Sequence, residues 1–242
     1  MAFLDTRDPV AVAAVAAIHS GDMEGLRQLL VEHPGLATDR LGSATGMSRT
    51  LLHVAPDWPG HFPRGAETVA ALVQAGADVN ARFAGPHIET PLHWAASTDD
   101  VAVLDALLDA GADIEAGGSV IGGGTPMSDA CAFAQWNSAR RLLERGATTL
   151  LWEAAALGLM DRIEGAFAAE PAPDAHEVTQ GLWAACHGGQ REAAAYFLGR
   201  GADADWIGYD DLTPLDAADR AGASDLVAWL RARGARSARD LR

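Results

Sequence analysis

The chain of 242 residues is short of cysteine, of positive charge and of long apolar runs, and each shortage removes a class of protein. Its two cysteines, Cys131 and Cys186, are too few and too isolated for a disulfide framework or a CxxC metal site. Both lie among alanines in stretches with a helical pattern, where a buried thiol acts as a small hydrophobe. That usage suits a reducing cytoplasm, the expected location. Lys+Arg number 18 against 33 Asp+Glu, a formal net charge of -15. Such a surface repels phosphate backbones, so no nucleic-acid ligand is expected and a basic partner is favoured. Arg231, Arg233, Arg236, Arg239 and Arg242 gather at the end, where they read as a solvated helix terminus that complements its dipole. The longest apolar run, Val10–Ile18, is too short for a bilayer and follows Asp5, Asp8 and Pro9 where a signal peptide would be basic. It reads as a capping helix, and no membrane association is expected.

What the chain does have is a core-forming composition, 49% hydrophobic and 21% charged, and an internal period. Four strings recur: Thr50-Leu51-Leu52-His53-Val54-Ala55, Thr90-Pro91-Leu92-His93-Trp94-Ala95, Thr125-Pro126-Met127-Ser128-Asp129-Ala130 and Thr213-Pro214-Leu215-Asp216-Ala217-Ala218. A second motif runs in phase with them, at Gly76-Ala77-Asp78, Gly111-Ala112-Asp113, Gly146-Ala147-Thr148, Gly201-Ala202-Asp203 and Gly234-Ala235-Arg236. Glycine spacings of 111 − 76 = 35, 146 − 111 = 35 and 234 − 201 = 33 set the repeat. Threonine caps a first helix and proline opens it, where a missing N–H costs nothing. Strings such as Val101–Leu108 supply a second, amphipathic helix, which a left-handed glycine closes.

These motifs resemble the ankyrin repeat, about 33 residues with a T-P-L-H-x-A signature. The resemblance, to a single-domain array of the bacterial type, covers nearly the whole chain. It implies an all-α solenoid of about seven stacked helix pairs joined by short hairpin-like fingers. As one domain over 1–242, it would have an N-terminal capping pair at 1–40, central repeats at 41–212 and a C-terminal capping repeat at 213–242. First helices are expected near Thr50, Thr90, Thr125, Thr149, Gln180 and Thr213, and Ser224–Leu230 as the closing helix. His53 and His93 resemble the family histidines whose imidazoles bond between neighbouring repeats. Trp152 and Trp183 hold that slot in repeats four and five, a departure from the family pattern, and with Trp136 are expected to pack between helices.

Departures from a repeat are where function concentrates. Pro56 stops the first helix of repeat one, and Pro56–Gly65 replaces a short turn with a segment carrying Trp58, His61 and Phe62. It reads either as a stiff cover for a helix edge or as a ligand contact. From Gly76 to Thr90 and from Gly111 to Thr125 is 14 residues, but from Gly146 to Thr149 only 3, so one finger is missing and a notch is expected there. In the ankyrin fold the slot after the histidine and the one a turn later line the concave face. Those slots bring Trp94, Asp129, Glu153 and His187 together with Phe133 around a hollow.

Two functions of different class follow. In the first, the resemblance implies recognition of a protein partner through the groove and fingers, with Phe83, His87, Ile121, Trp206 and Tyr209 as finger anchors. In the second, the hollow binds a small molecule or catalyses acid–base chemistry, with Asp129 and Glu153 trading protons, His187 assisting, and Trp94 and Trp58 as an apolar wall. Ligand contacts in either case are expected from Trp58, His61, His87, Trp94, Phe133, Trp206 and Tyr209. No metal is expected, because Cys186-His187 has no second ligand at a sensible spacing. No cofactor is expected either, since Gly117–Gly124 lacks the strand, helix and lysine of a phosphate loop.

Overall fold

The computed structural model describes residues 2–242. The chain is mostly helical, with little strand, and divides into two compact units, Met1–Thr148 and Thr149–Arg242. The division falls where the sequence lacks a finger, between Gly146 and Thr149.

Among its described residues the first unit holds four helix pairs: α1 (Pro9–Ser20) with α2 (Met23–Glu32), α3 (Leu51–Val54) with α4 (Gly65–Gln74), α5 (Pro91–Ser97) with α6 (Val101–Asp109), and α7 (Pro126–Ala132) with α8 (Trp136–Glu144). The Val10–Ile18 run lies in α1, as the sequence implies. Asp8 caps it by accepting from the Val10 N–H at 2.8 Å, and Pro9 takes the first helical position. A small three-stranded sheet accompanies these helices. In it β1 (Phe3–Leu4) runs parallel to β2 (Arg40–Gly42), which pairs antiparallel with β3 (Ser48–Arg49).

The second unit holds α9 (Leu151–Leu157) with α10 (Met160–Ala168), α11 (Ala175–His187) with α12 (Arg191–Gly199), and α13 (Pro214–Arg220) with α14 (Ser224–Arg231). A short α15 (Ala238–Leu241) extends past the helix that the sequence made the last. The first helix expected near Gln180 begins instead at Ala175. Its cap is not the threonine of the motif but Asp174, which accepts from the Glu177 N–H at 2.8 Å while Glu177 accepts from the Asp174 N–H at 2.9 Å.

Within each unit successive first helices pack on one another, α3 on α5 and α5 on α7, then α9 on α11 and α11 on α13. Alanine makes this close approach possible: Ala95, Ala96, Ala130, Ala155, Ala185, Ala217 and Ala218 are fully buried. Leucines fill the space towards the second helices, among them Leu52, Leu72, Leu92, Leu104, Leu107 and Leu142, each without exposed surface. Burying such a side chain contributes about 1.5–3 kcal/mol, so a pair alone would lose much of its stabilisation. Gly111 closes α6 at φ +92°, and its counterparts Gly76, Gly146, Gly201 and Gly234 share that left-handed backbone.

The motif histidines bridge repeats. The Thr50 N–H donates to His53 Nδ1 at 3.3 Å, so that nitrogen is the acceptor and Nε2 carries the hydrogen, which goes to the Glu89 carbonyl at 3.2 Å. His93 repeats the pattern, from the Thr90 N–H at 3.1 Å to the Gly124 carbonyl at 3.3 Å. In the second unit the Trp183 Nε1–H donates to the Leu212 carbonyl at 3.0 Å. Glu89, Gly124 and Leu212 each stand immediately before the next capping threonine. An indole thus performs the imidazole's bridge, which accounts for tryptophan in a histidine slot.

Candidate functional site

The inserted segment Pro56–Gly65 is fastened at both ends. Asp57 forms a short ion pair with Arg49 and accepts from the Trp58 N–H at 3.0 Å, and the Gly60 N–H donates to the Asp57 carbonyl at 2.6 Å. Gly60 has φ +75° and passes so close to Thr98 that a Cβ there would come within 2.9 Å of it. The His61 N–H then donates to Asp100 Oδ2 at 2.9 Å, and its ring Nε2 meets the Thr98 carbonyl at 3.0 Å. Phe62 stacks on His19 at 4.1 Å between ring centres. Trp58 is left 79% exposed on this fastened loop.

Opposite lies the finger that leads into α7. Between loop and finger opens a cleft of about 520 Å³, lined by Trp58, His87, Glu89, Trp94, Ser97, Val120, Phe133 and Gln135, with Pro56, Asp57 and Thr98 at the loop side. Phe133 is 46% exposed at its far wall. Glu89, only 6% exposed, organises the floor. Its Oε2 accepts from the Trp94 indole N–H at 2.9 Å and lies 2.9 Å from His87 Nδ1, while Oε1 accepts from the Val120 N–H at 3.2 Å. One carboxylate therefore ties together the segment before α5, the indole on α5 and the finger backbone. His87 stacks on Phe83 at 4.7 Å. Phe83, expected at a finger tip, is buried beneath it because that ring also packs against Trp94 at 5.7 Å.

Asp129 sits behind this floor without exposed surface. Ser119 Oγ donates a short hydrogen bond to its Oδ1 and itself accepts from the Ile121 N–H at 2.8 Å. Burial, and then the neighbouring Glu89 charge, hold the Asp129 carboxyl well above the usual carboxylate range. Its Oδ2 receives no hydrogen bond, as suits the oxygen that carries the proton. Burial acts oppositely on the bridging imidazoles, lowering His53 to about 3 and His93 to about 4.

The cleft therefore gathers Trp58, His87, Trp94 and Phe133 of the expected ligand contacts, with Asp129 behind rather than on its wall. His61 spends its ring on the Thr98 carbonyl. Glu153, His187, Trp206 and Tyr209 belong to the second unit. There Glu153 is buried and its Oε2 accepts from the Leu150 N–H at 2.7 Å, a helix-capping bond. His187 stacks on Trp183 at 5.3 Å and lies 3.3 Å from an Arg220 nitrogen. Tyr209 accepts from Gln180 Nε2 at 2.6 Å and meets Trp183 and Trp206 edge to face, at 5.1 and 5.9 Å. Burial pushes the Cys186 thiol up to about 12, which suits packing and not nucleophilic chemistry.

Glu89 is the residue that motif reading missed. The slot before the capping threonine holds Arg49, Glu89, Gly124 and Leu212 in the four strings, so its chemistry does not repeat. The legible signal is an acid five positions ahead of Trp94, which one helical turn after the cap brings within reach.

Comparison with known families matches the ankyrin repeat at residues 88–118, the stretch that carries Glu89, α5, α6 and the start of the finger. No curated protein matches the chain. No helix among the described residues is long and apolar enough to cross a membrane. Ankyrin repeats in general mediate protein–protein interaction. The match gives the chain an ankyrin repeat at residues 88–118, and the recurring capped helix pairs on either side of it and the bridging histidines are consistent with an all-α repeat solenoid.

Proposed function

We propose that the chain recognises a protein partner, with the cleft between the Pro56–Gly65 loop and the finger before α7 as its principal contact. The observation that carries this reading is Trp58, 79% exposed on a loop whose neighbours are fixed by hydrogen bonds and an ion pair. An indole presented on a fixed backbone spares the cost of ordering its loop on binding, and tryptophan is the residue type that most often dominates an interface. Phe133 across the cleft offers a second aromatic surface. Trp206 and Tyr209 extend the same reading to the fingers of the second unit. A cytoplasmic location goes with it, supported by the burial of both cysteines.

A small-molecule ligand in the same cleft is supported by its volume of about 520 Å³, within the range of ligand sites. Acid–base chemistry by Asp129, Glu153 and His187 gains no such support, because Asp129 is fully buried.

The chain contains no lysine, so amine-directed crosslinkers have no side chain to attack, and a photoreactive residue suits it better. Benzoylphenylalanine in place of Trp58 is expected to crosslink a polypeptide that the same residue in place of Val31, also 79% exposed, does not capture. Identical products from both positions, or none that contain a second polypeptide, would overturn the reading.

A further inference from the structure

The cleft has a chemistry more specific than an apolar slot. Its walls are aromatic, at Trp58, Trp94 and Phe133, and its charged lining residues, Asp57 and Glu89, are both acidic. Among the described lining residues there is no arginine. Around it is a chain of net charge -15. Aromatic faces carry negative potential, and a carboxylate at the floor of a partly desolvated cleft adds to it. One cation of the chain already uses this wall from the side: the Arg49 guanidinium lies 5.9 Å from the centre of the Trp94 ring while paired with Asp57.

We propose that the cleft is an anchor pocket for an arginine side chain of the partner polypeptide, its guanidinium stacked among Trp58, Trp94 and Phe133 above Glu89. The inference rests on the protein-binding reading and names the group that the partner inserts. Arginine fits better than lysine for a geometric reason. Both Glu89 oxygens already accept a hydrogen bond, Oε2 from the Trp94 indole and Oε1 from the Val120 N–H. An ammonium is strongly hydrated and would need several free acceptors to replace its water. A guanidinium is weakly hydrated on its flat faces and is stabilised by stacking on aromatic rings. Glu89 then acts through its charge and the rings through their faces. The amide of Gln135 and the hydroxyl of Ser97 lie at hand for the N–H edge.

Fluorescent peptide pools test this directly. Each pool has one fixed central residue, arginine, citrulline, lysine or glutamate, between random residues, and binding to the full chain is read by anisotropy. The arginine pool is expected to bind at least about fivefold tighter than the citrulline pool, which keeps the shape and loses the charge, and tighter than the lysine pool. Trp58→Ala and Phe133→Ala are each expected to weaken the arginine pool about fivefold and to leave the melting temperature in place, since both side chains are exposed. Glu89→Gln is expected to weaken it too. Because that change can loosen the floor, the exposed Trp58 variant decides. Equal binding of the arginine and citrulline pools, a lysine pool as tight as the arginine pool, or an unaffected Trp58→Ala would overturn the proposal. So would free agmatine matching the arginine pool in affinity, which would assign the cleft to a small guanidine. Persistent polypeptide crosslinking from position 58 alongside a failed arginine preference would leave partner recognition standing and sink only the arginine anchor.

Discussion

Asp129 on α7 is buried with its carboxyl against that of Glu89, the residue just before the Thr90 cap of α5. Two such groups cannot both ionise cheaply in a dry site, and the deeper one keeps the proton. Ser119 donates to one oxygen of Asp129, and the Glu89 carboxylate lies beside the carboxyl that keeps the proton. The pair couples the finger carrying Ser119 and Val120 to the start of α5, and so fixes the floor of the cleft.

The raised pKa of Asp129 implies a stability penalty that a neutral substitute removes. In the unfolded chain this group ionises near 3.8, whereas the folded protein holds its proton to higher pH. Above 3.8 the folded state binds more protons than the unfolded one, so this group lowers stability as pH rises towards the folded value. Asparagine keeps the acceptor for Ser119 and a donor for Glu89. Asp129→Asn should raise stability at pH 7 by on the order of 2 kcal/mol, with the difference vanishing near pH 4. Urea melts at the two pH values check this. A variant less stable at pH 7 would show Asp129 to be an anion held by its neighbours.

His53 and His93 contribute with the opposite sign. Their folded values, about 3 and about 4, lie below the ordinary imidazole value of 6.5. Between 6.5 and about 4 the unfolded chain therefore takes up two protons that the folded chain refuses, so these groups lose stability as pH falls. In the same window Asp129 holds one proton that the unfolded chain releases above 3.8. These three groups together thus leave a net uptake of about one proton on unfolding. Removing the Asp129 contribution with Asp129→Asn should steepen the acid loss, from about one proton towards two, in the slope of unfolding free energy between pH 6 and 4.5. An unchanged slope would sink this assignment.

The repeat itself was open to reading because its parts are local. A threonine cap, a proline at the first helical position and a glycine at φ near +90° each declare a boundary within a few residues. Where the local signal changes, the boundary is lost to the motif: α11 opens on an Asp174–Glu177 capping box, whereas the repeat pattern alone points to a start near Gln180. Trp183 in a histidine slot marked a packed residue, but its hydrogen bond to Leu212 needs the neighbouring repeat to be in place. The cleft was half legible. Trp58, Trp94 and Phe133 stood out as aromatics in broken or outward slots. Glu89 did not, since what matters is its distance to Trp94, Val120 and Asp129, and two of these lie more than thirty positions away in the chain.

Trp58 and Trp94 face the same cleft but should respond very differently to truncation. Trp94 is half-buried, packs on His53 and Phe83, and supplies a hydrogen to Glu89. Trp94→Ala removes that packing and leaves a buried carboxylate one donor short, a loss of about 2–4 kcal/mol. Trp58→Ala removes a side chain that is 79% exposed and should shift stability by no more than about 0.5 kcal/mol. Chemical denaturation of both variants separates them. Comparable losses would mean that Trp58 closes down onto the cleft in solution and is part of the core.

Two glycines of the second unit make a paired test of helix stacking. Gly188 follows α11 against α9, and a Cβ there would stand 1.9 Å from the Ala156 carbonyl oxygen. That atom is backbone and cannot swing aside, so Gly188→Ala must push α11 off α9 or distort its end. Gly165 lies inside α10 with nothing within 4 Å of an added Cβ, on an exposed face. There alanine merely removes the backbone freedom that glycine has in the unfolded chain. Gly165→Ala should stabilise by about 0.5–1 kcal/mol, whereas Gly188→Ala should destabilise by more than about 2 kcal/mol. Thermal melts of the full chain are the measurement. If the two variants moved the transition alike, close contact between the first helices would not be what holds the second unit together.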